Sequence, residues 1–142
     1  MLVAALVNTH LHHVSSMTLI DRSKDQSLAV AAHSYAEAYA VLTRRAPAPY
    51  QFRSSQAWQA LESVAAITKL VGLSPAQTVA TIREFATDGN TGPMIYDKLI
   101  GAAASYAGIT QIVTWNVKHL AMLFPHFDVV TPETLLARGA II

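Results

Sequence analysis

The chain has 142 residues, of which 52% are hydrophobic and 13% are charged, and its formal net charge is +1. This length suits one domain with a sizeable core, so we expect a single domain over residues 1–142. The balanced charge excludes a general electrostatic affinity for nucleic acid, and any RNA contact must therefore be local. The absence of cysteine excludes disulfides and thiolate metal sites and fits a cytoplasmic protein. So few charges also leave part of the surface apolar, which predicts an interface.

The first 22 residues predict two helices. Residues 1–7 (MLVAALV) are apolar but far shorter than a membrane span, and no basic segment precedes them, so neither an anchor nor a signal peptide is expected. A helix is favoured there over a buried strand, and a second, amphipathic helix ends near Arg22. Between them, His10, His12 and His13 form the densest imidazole cluster. With no carboxylate close in sequence, a surface turn is favoured over a metal site.

A strand followed by a helix is predicted around Glu37. Residues 28–32 form an apolar run of strand length, and residues 34–44 (SYAEAYAVLTR) follow with helical spacing until the prolines of 46–49. Glu37 therefore lies where a strand gives way to a helix, a position at which catalytic groups collect in α/β folds. Ser34 and Glu37 also match a capping box. From this segment alone, the capping box is the favoured interpretation.

The middle of the chain predicts two helices with clear signals. A helix over residues 55–67 is expected to bury Trp58, and a short strand follows at 68–71. Ser74-Pro75-Ala76-Gln77 combines an N-cap serine, a proline at the first helical position and a glutamine at the third. The helix that begins there is expected to run to about Thr87.

Residues 94–107 give the strongest helical pattern, and Gly108 is its expected C-cap. Asp97 lies in the first turn, where the helix dipole alone favours a carboxylate by roughly 0.3–1 kcal/mol. The small residues 101–104 (GAAA) would let this helix lie very close to a neighbour. A carboxylate held against a sheet in that way would need a cation.

The last third of the chain predicts two further strands. Residues 109–115 (ITQIVTW) read as a buried strand with Asn116 directly at its carboxyl end, and residues 116–120 read as polar and irregular. A short strand over 127–130 precedes a terminal helix that ends near Gly139. Strands that alternate with helices predict a three-layer α/β/α domain with a mainly parallel sheet.

Three oxygen-bearing side chains share one predicted position, where a strand gives way to a helix: Glu37, Asp97 and Asn116. Oxygen ligands without sulfur suit Mg²⁺ or Mn²⁺, which bind through a few carboxylates, waters and substrate phosphates. Such a set predicts phosphodiester hydrolysis. Lys118 and His119 stand beside Asn116 and could contact phosphate, although exposed basic residues are more often only solvated.

Three segments occur in a characteristic order: 36–44 (AEAYAVLTR), 95–109 (IYDKLIGAAASYAGI) and 112–120 (IVTWNVKHL). Together they resemble the PIN-domain ribonucleases, in particular the VapC toxins of toxin–antitoxin pairs. The likeness covers nearly the whole chain and includes a VVTPE-like ending at 129–133. It implies a parallel sheet flanked by helices and a metal-dependent endoribonuclease that leaves a 5′-phosphate. It assigns metal-binding and catalytic roles to Glu37, Asp97 and Asn116, and it matches Thr114 to the threonine that precedes the position of Asn116. It also implies an antitoxin partner and a homodimer.

The amino terminus departs from the family pattern. Family members begin with a strand that ends in Asp-Thr, before a helix like LVAALV, whereas Met1 falls just after that motif. We therefore expect the first strand and its aspartate to be missing, through a late start codon or in a shortened relative, or the strand to be replaced by residues 1–7. Fewer ligands should lower metal affinity and impair cleavage. The alternatives are a degenerate PIN-fold binding module that pairs with an antitoxin or itself, and a metal phosphohydrolase acting on another substrate.

Overall fold

The computed structural model describes residues 1–23, 27–44 and 51–139 and shows a mixed α/β protein. The chain divides into two compact units, one made of Met1–Leu70 with the segment that begins at Pro132, the other of Val71–Thr131. The described residues contain eight helices and four short strands, in the order α1 Leu2–Leu6, α2 His13–Arg22, β1 Ala29–Ala31, α3 Ala32–Leu42, α4 Ser54–Ala65, β2 Lys69–Val71, α5 Pro75–Thr87, α6 Met94–Tyr106, β3 Gln111–Val113, α7 Val117–Leu123, β4 Asp128–Val130 and α8 Pro132–Ala137. The α/β class predicted from the sequence is confirmed. The prolines predicted to end α3 lie outside the described residues.

In the first unit, four helices enclose an apolar core. The buried members come from α1, α2, α3 and α4 and the residues that flank them: Leu2, Ala5, Val7, Ile20, Ala38, Leu42, Ala57, Leu61 and Val64. Residues 1–7, which contain α1, are all apolar because the side chains on every face of this helix lie in the core or pack against it. The predicted helix is confirmed, and the interpretation of residues 1–7 as a strand is wrong. The Lys69 N–H donates to the Leu28 carbonyl at 2.8 Å where β2 lies beside β1.

The prediction that Trp58 is buried is wrong, because its side chain is 57% exposed. The buried face of α4 runs through Ala57, Leu61 and Val64, which recur at steps of four and three residues. Trp58 is one position away from that face. The sequence pattern placed the large side chain of Trp58 on the buried face of α4. In the structure the small Ala57 occupies the closely packed position on that face.

In the second unit, β3 and β4 form a parallel pair in which Ile112 lies opposite Val129. Behind them a buried cluster joins α6, α7 and the strands: Ala104, Ile112, Leu120, Phe124 and Phe127. Residues 116–120 are not irregular as predicted, because Leu120 and Phe124 lie one turn apart and both bury against this cluster. Tertiary burial thus makes a helix from a segment whose exposed side is polar.

The helix α6 ends and packs as the sequence predicts. The Gly108 N–H donates to the Ser105 carbonyl and the Ile109 N–H to the Ala104 carbonyl, both at 3.0 Å, and Gly108 has φ +71°. This is a Schellman motif, in which the glycine adopts the left-handed backbone conformation. Gly101 faces the ring of Phe124 so closely that a β-carbon would collide with it. The small residues therefore bring α6 against α7, whereas Tyr106 at the end of α6 is 59% exposed.

A largely buried lysine joins α5 and α6 beside Asp97. Lys98 Nζ lies 2.8 Å from Glu84 Oε1 and 5.1 Å from the centre of the Phe124 ring, and the lysine side chain is only 11% exposed. The aliphatic stem packs while the ammonium keeps one carboxylate and one aromatic partner. This contact fixes the first turns of α6, from which Asp97 projects.

A capping box at Ser74 and Gln77 stabilises the start of α5. Ser74 Oγ accepts from the Gln77 N–H at 3.2 Å, and Gln77 Oε1 accepts from the Ser74 N–H at 2.8 Å, so the predicted capping box is confirmed. Ser74→Ala is expected to lower the free energy of unfolding by about 1 kcal/mol, because an orphan donor at the helix start loses its partner. Urea denaturation followed by circular dichroism measures this change. Ser63→Ala, at an exposed position within α4, is the control, and equal stability losses in the two variants would contradict the capping role.

Candidate functional site

Asp97, Thr114, Asn116 and His119 come together in the unit Val71–Thr131. Asn116 Nδ2 lies 3.3 Å from Asp97 Oδ2 and 3.2 Å from His119 Nδ1. Asp97 belongs to the first turn of α6, Asn116 is the N-cap of α7, and His119 lies in the first turn of that helix. Polar groups separated by 19 residues in sequence therefore meet at one place.

The parallel pair of strands sets the position of Asn116. The Thr114 N–H donates to the Val130 carbonyl at 2.9 Å, which extends the ladder one residue beyond β3. Thr114 Oγ1 then accepts from the Asn116 N–H at 3.0 Å and turns the chain into α7. The asparagine thus lies just past the carboxyl end of β3, where parallel sheets hold their ligands. In this structure the Thr114 hydroxyl shapes the turn that carries the site.

The cluster is open to solvent on one side. Asn116, Lys118 and His119 are exposed, whereas Asp97 is half-buried. Asp97 also lies in the first turn of α6, where the helix dipole attracts a carboxylate with or without a ligand. The three exposed side chains are therefore accessible to an anion or a hydrated cation from solvent.

Glu37 belongs to the other unit, and its surroundings differ from those predicted. The helix α3 begins at Ala32, with Ala31 as its N-cap and no side-chain capping bond, so Ser34 and Glu37 lie inside the helix. The favoured interpretation, a capping box, is wrong because the helix starts two residues before Ser34. Glu37 Oε1 lies 3.3 Å from His33 Nε2, an ion pair when the imidazole is protonated.

The amino group of Met1 is a further charged neighbour of Glu37 in this unit. Burial lowers the pKa of the Met1 amino group, and the negative charge of Glu37 partly offsets that shift. The Glu37 side chain remains 44% exposed. The carboxylate is therefore accessible as a ligand. The i, i+4 spacing of His33 and Glu37 on a helix was the sequence signal for their contact, and sequence reasoning missed it.

The donor chemistry near Asp97 fits a hard divalent cation in part. The contact with Asn116 uses Asp97 Oδ2 and the amide nitrogen, so the other carboxylate oxygen and the amide oxygen take no part in it. One or two carboxylates, waters and substrate phosphates make an ordinary Mg²⁺ site. Within residues 1–23, 27–44 and 51–139, no group of three or more His, Asp or Glu side chains is arranged to hold a metal ion.

The histidine cluster lies in the turn that leads into α2, as the sequence favoured, and His13 is the first residue of that helix. The His12 N–H donates to His10 Nδ1 at 3.1 Å, and His13 Nδ1 lies 3.3 Å from the Ala4 carbonyl oxygen. Desolvation lowers the pKa of His10, and the charges of His12, of the amino terminus and of His13 lower it further. One ring nitrogen of His10 and one of His13 are thus engaged with backbone groups.

Neither protein-family models nor curated protein sequences match this chain. The PIN-domain resemblance therefore remains a prediction. Among the described residues, no helix is both long enough and apolar enough to cross a membrane.

Proposed function

We propose that this chain is a Mg²⁺- or Mn²⁺-dependent endoribonuclease of the PIN-domain type, the cytoplasmic toxin of a toxin–antitoxin pair, with a three-layer α/β/α fold. The contact that carries the proposal is the 3.3 Å approach of Asn116 Nδ2 to Asp97 Oδ2 just beyond the carboxyl end of β3. It supports the proposal because oxygen-bearing groups from different elements meet where α/β sheets hold phosphate-bearing ligands. The parallel pairing of β3 and β4 supports the same architecture.

The chain's own residues have distinct roles in this proposal. Asp97 supplies the carboxylate and Asn116 the amide oxygen that hold the cation, and Glu37 remains a predicted ligand. A cation held there would provide an activated water and would neutralise the charge on the leaving oxygen. Lys118 and His119, both exposed beside Asn116, bind backbone phosphates and so position the RNA. Thr114 holds the turn through its bond to the Asn116 N–H.

Incubation of the purified chain with single-stranded RNA and Mn²⁺ tests the function. The expected products carry a 5′-phosphate and a 3′-hydroxyl, because water attacks the phosphorus and the 3′-oxygen leaves. The cleavage rate should be low, since the unit Val71–Thr131 contributes only the Asp97 carboxylate to the proposed metal site. Products with a 2′,3′-cyclic phosphate, or cleavage that persists in excess chelator, would contradict a metal-dependent hydrolysis.

The apolar surface favours a second candidate, a binding module that has lost catalysis. Leu11, in the turn before α2, is 90% exposed, Val14, in the first turn of α2, is 76% exposed, and Trp58 on α4 is 57% exposed. Large apolar side chains exposed in this way are typical of surfaces that meet an antitoxin or a second copy. Calorimetric titration with Mn²⁺ separates the candidates. A nuclease should give a binding heat that falls in Glu37→Gln, whereas a pure interaction module should give none that depends on Glu37.

A further inference from the structure

The two contacts of the Asn116 amide determine where the proton of His119 lies. An ionised carboxylate only accepts hydrogen bonds, so the atom that Asn116 turns towards Asp97 must be the amide nitrogen. The same nitrogen lies 3.2 Å from His119 Nδ1 and carries a second hydrogen. Because an amide nitrogen does not accept hydrogen bonds, Nδ1 must be the acceptor. The imidazole proton then lies on Nε2.

We propose that Asn116 is a positioning residue that holds His119 as the Nε2–H tautomer, so that this N–H donates to a phosphate oxygen of the RNA backbone. The second half rests on the proposed ribonuclease function, whereas the first half does not. Asn116 thereby links two roles, since its contact with Asp97 orients the amide and its contact with His119 orients the ring.

The surroundings of His119 suit a phosphate donor. The imidazole is exposed and lies in the first turn of α7, next to the exposed Lys118. The lysine provides a point charge and the imidazole a directed N–H, two contacts that fix the register of a phosphate without reading the base.

Nitrogen-15 NMR of the imidazole side chains tests the first half directly. At about pH 8.5, where ordinary imidazoles are neutral, His119 of the wild-type chain should give the signals of the Nε2–H tautomer. Asn116→Asp replaces the donor by an acceptor, so the proton should move to Nδ1. Asn116→Ala should give a mixture of both tautomers. His126, an exposed histidine of the same unit, is the internal control and should not change.

An Nδ1–H tautomer of His119 in the wild-type chain would overturn the positioning role, as would identical His119 signals in wild type and Asn116→Asp. These results do not depend on any cleavage. A change in the His126 chemical shifts in the same variants would instead indicate a general disturbance of the unit. That result would also count against a local role for Asn116.

RNA binding in excess chelator tests the second half. The dissociation constant of a short single-stranded RNA, measured by fluorescence anisotropy, should rise about fivefold to tenfold in His119→Ala, because a hydrogen bond to a charged oxygen is lost. His119→Gln keeps an N–H near the Nε2 position and should bind within about twofold of wild type. Equal binding by wild type and His119→Ala would overturn the phosphate contact, even if the chain cleaves RNA. Absence of cleavage by a chain that still shows the His119 effect would refute the ribonuclease proposal alone.

Discussion

Replacing Gly101 with alanine is expected to lower the free energy of unfolding by about 1–3 kcal/mol, the usual cost of overpacking a core. A β-carbon at this position would collide with the ring of Phe124. That ring is 5% exposed, packs edge-on against Phe127 at 5.6 Å between centres, and lies under Lys98. It therefore has little room to move. The prediction opposes helix propensity, which favours alanine over glycine by roughly 1 kcal/mol in a helix interior.

Urea denaturation of four variants, Gly101→Ala, Ser105→Ala, Phe124→Leu and the double variant Gly101→Ala with Phe124→Leu, separates these effects. Ser105→Ala, four residues later on the exposed side of α6, tests the propensity gain without a collision and should change stability only slightly. Gly101→Ala combined with Phe124→Leu should be less destabilised than the sum of the two single variants, because the smaller side chain makes space. A Gly101→Ala chain more stable than wild type would show that α7 moves away at little cost.

Local chemistry explains which elements could be predicted from the sequence. Ser74 and Gly108 were identified correctly because a cap and a left-handed glycine act through neighbouring backbone groups. Trp58 and the segment 116–120 were misjudged because their states depend on distant partners. Whether Leu120 is buried is decided by Ile112 and Phe124, which the local pattern of the segment does not reveal.

In the candidate site too, local features could be predicted from the sequence, whereas features that depend on distant partners could not. Asp97, Asn116 and His119 could be singled out because strand ends and helix starts are readable from apolar runs, and the structure brings their side chains within hydrogen-bonding distance. Their donor and acceptor roles could not be read, since these depend on the rotation of one amide. The capping box at Glu37 failed because it placed the N-cap at Ser34, whereas the N-cap of α3 is Ala31, three residues earlier. Ala31 ends a strand and has no polar side chain to mark the boundary.

Asp97→Asn is expected to reduce Mn²⁺-dependent RNA cleavage by at least about 100-fold, since a catalytic cation contributes several kcal/mol and each 1.4 kcal/mol is a factor of ten in rate. The substitution removes the charge but keeps the size. Its amide oxygen can still accept from Asn116 Nδ2, so the local hydrogen bond and the fold should survive. Glu37→Gln is expected to abolish cleavage as well, because an amide binds a hard divalent cation less tightly than a carboxylate.

Asp88→Asn is the matched control, since Asp88 is an exposed aspartate at the C-cap of α5 in the same unit as Asp97. It should cleave RNA at the wild-type rate and bind Mn²⁺ with the same heat. Thermal unfolding of each variant should show that loss of activity does not reflect unfolding. Metal-dependent cleavage that persists in both Asp97→Asn and Glu37→Gln would show that the catalytic centre lies elsewhere. Loss in Asp97→Asn alone would restrict the cation to the cluster around Asn116 and leave Glu37 to its ion pair with His33.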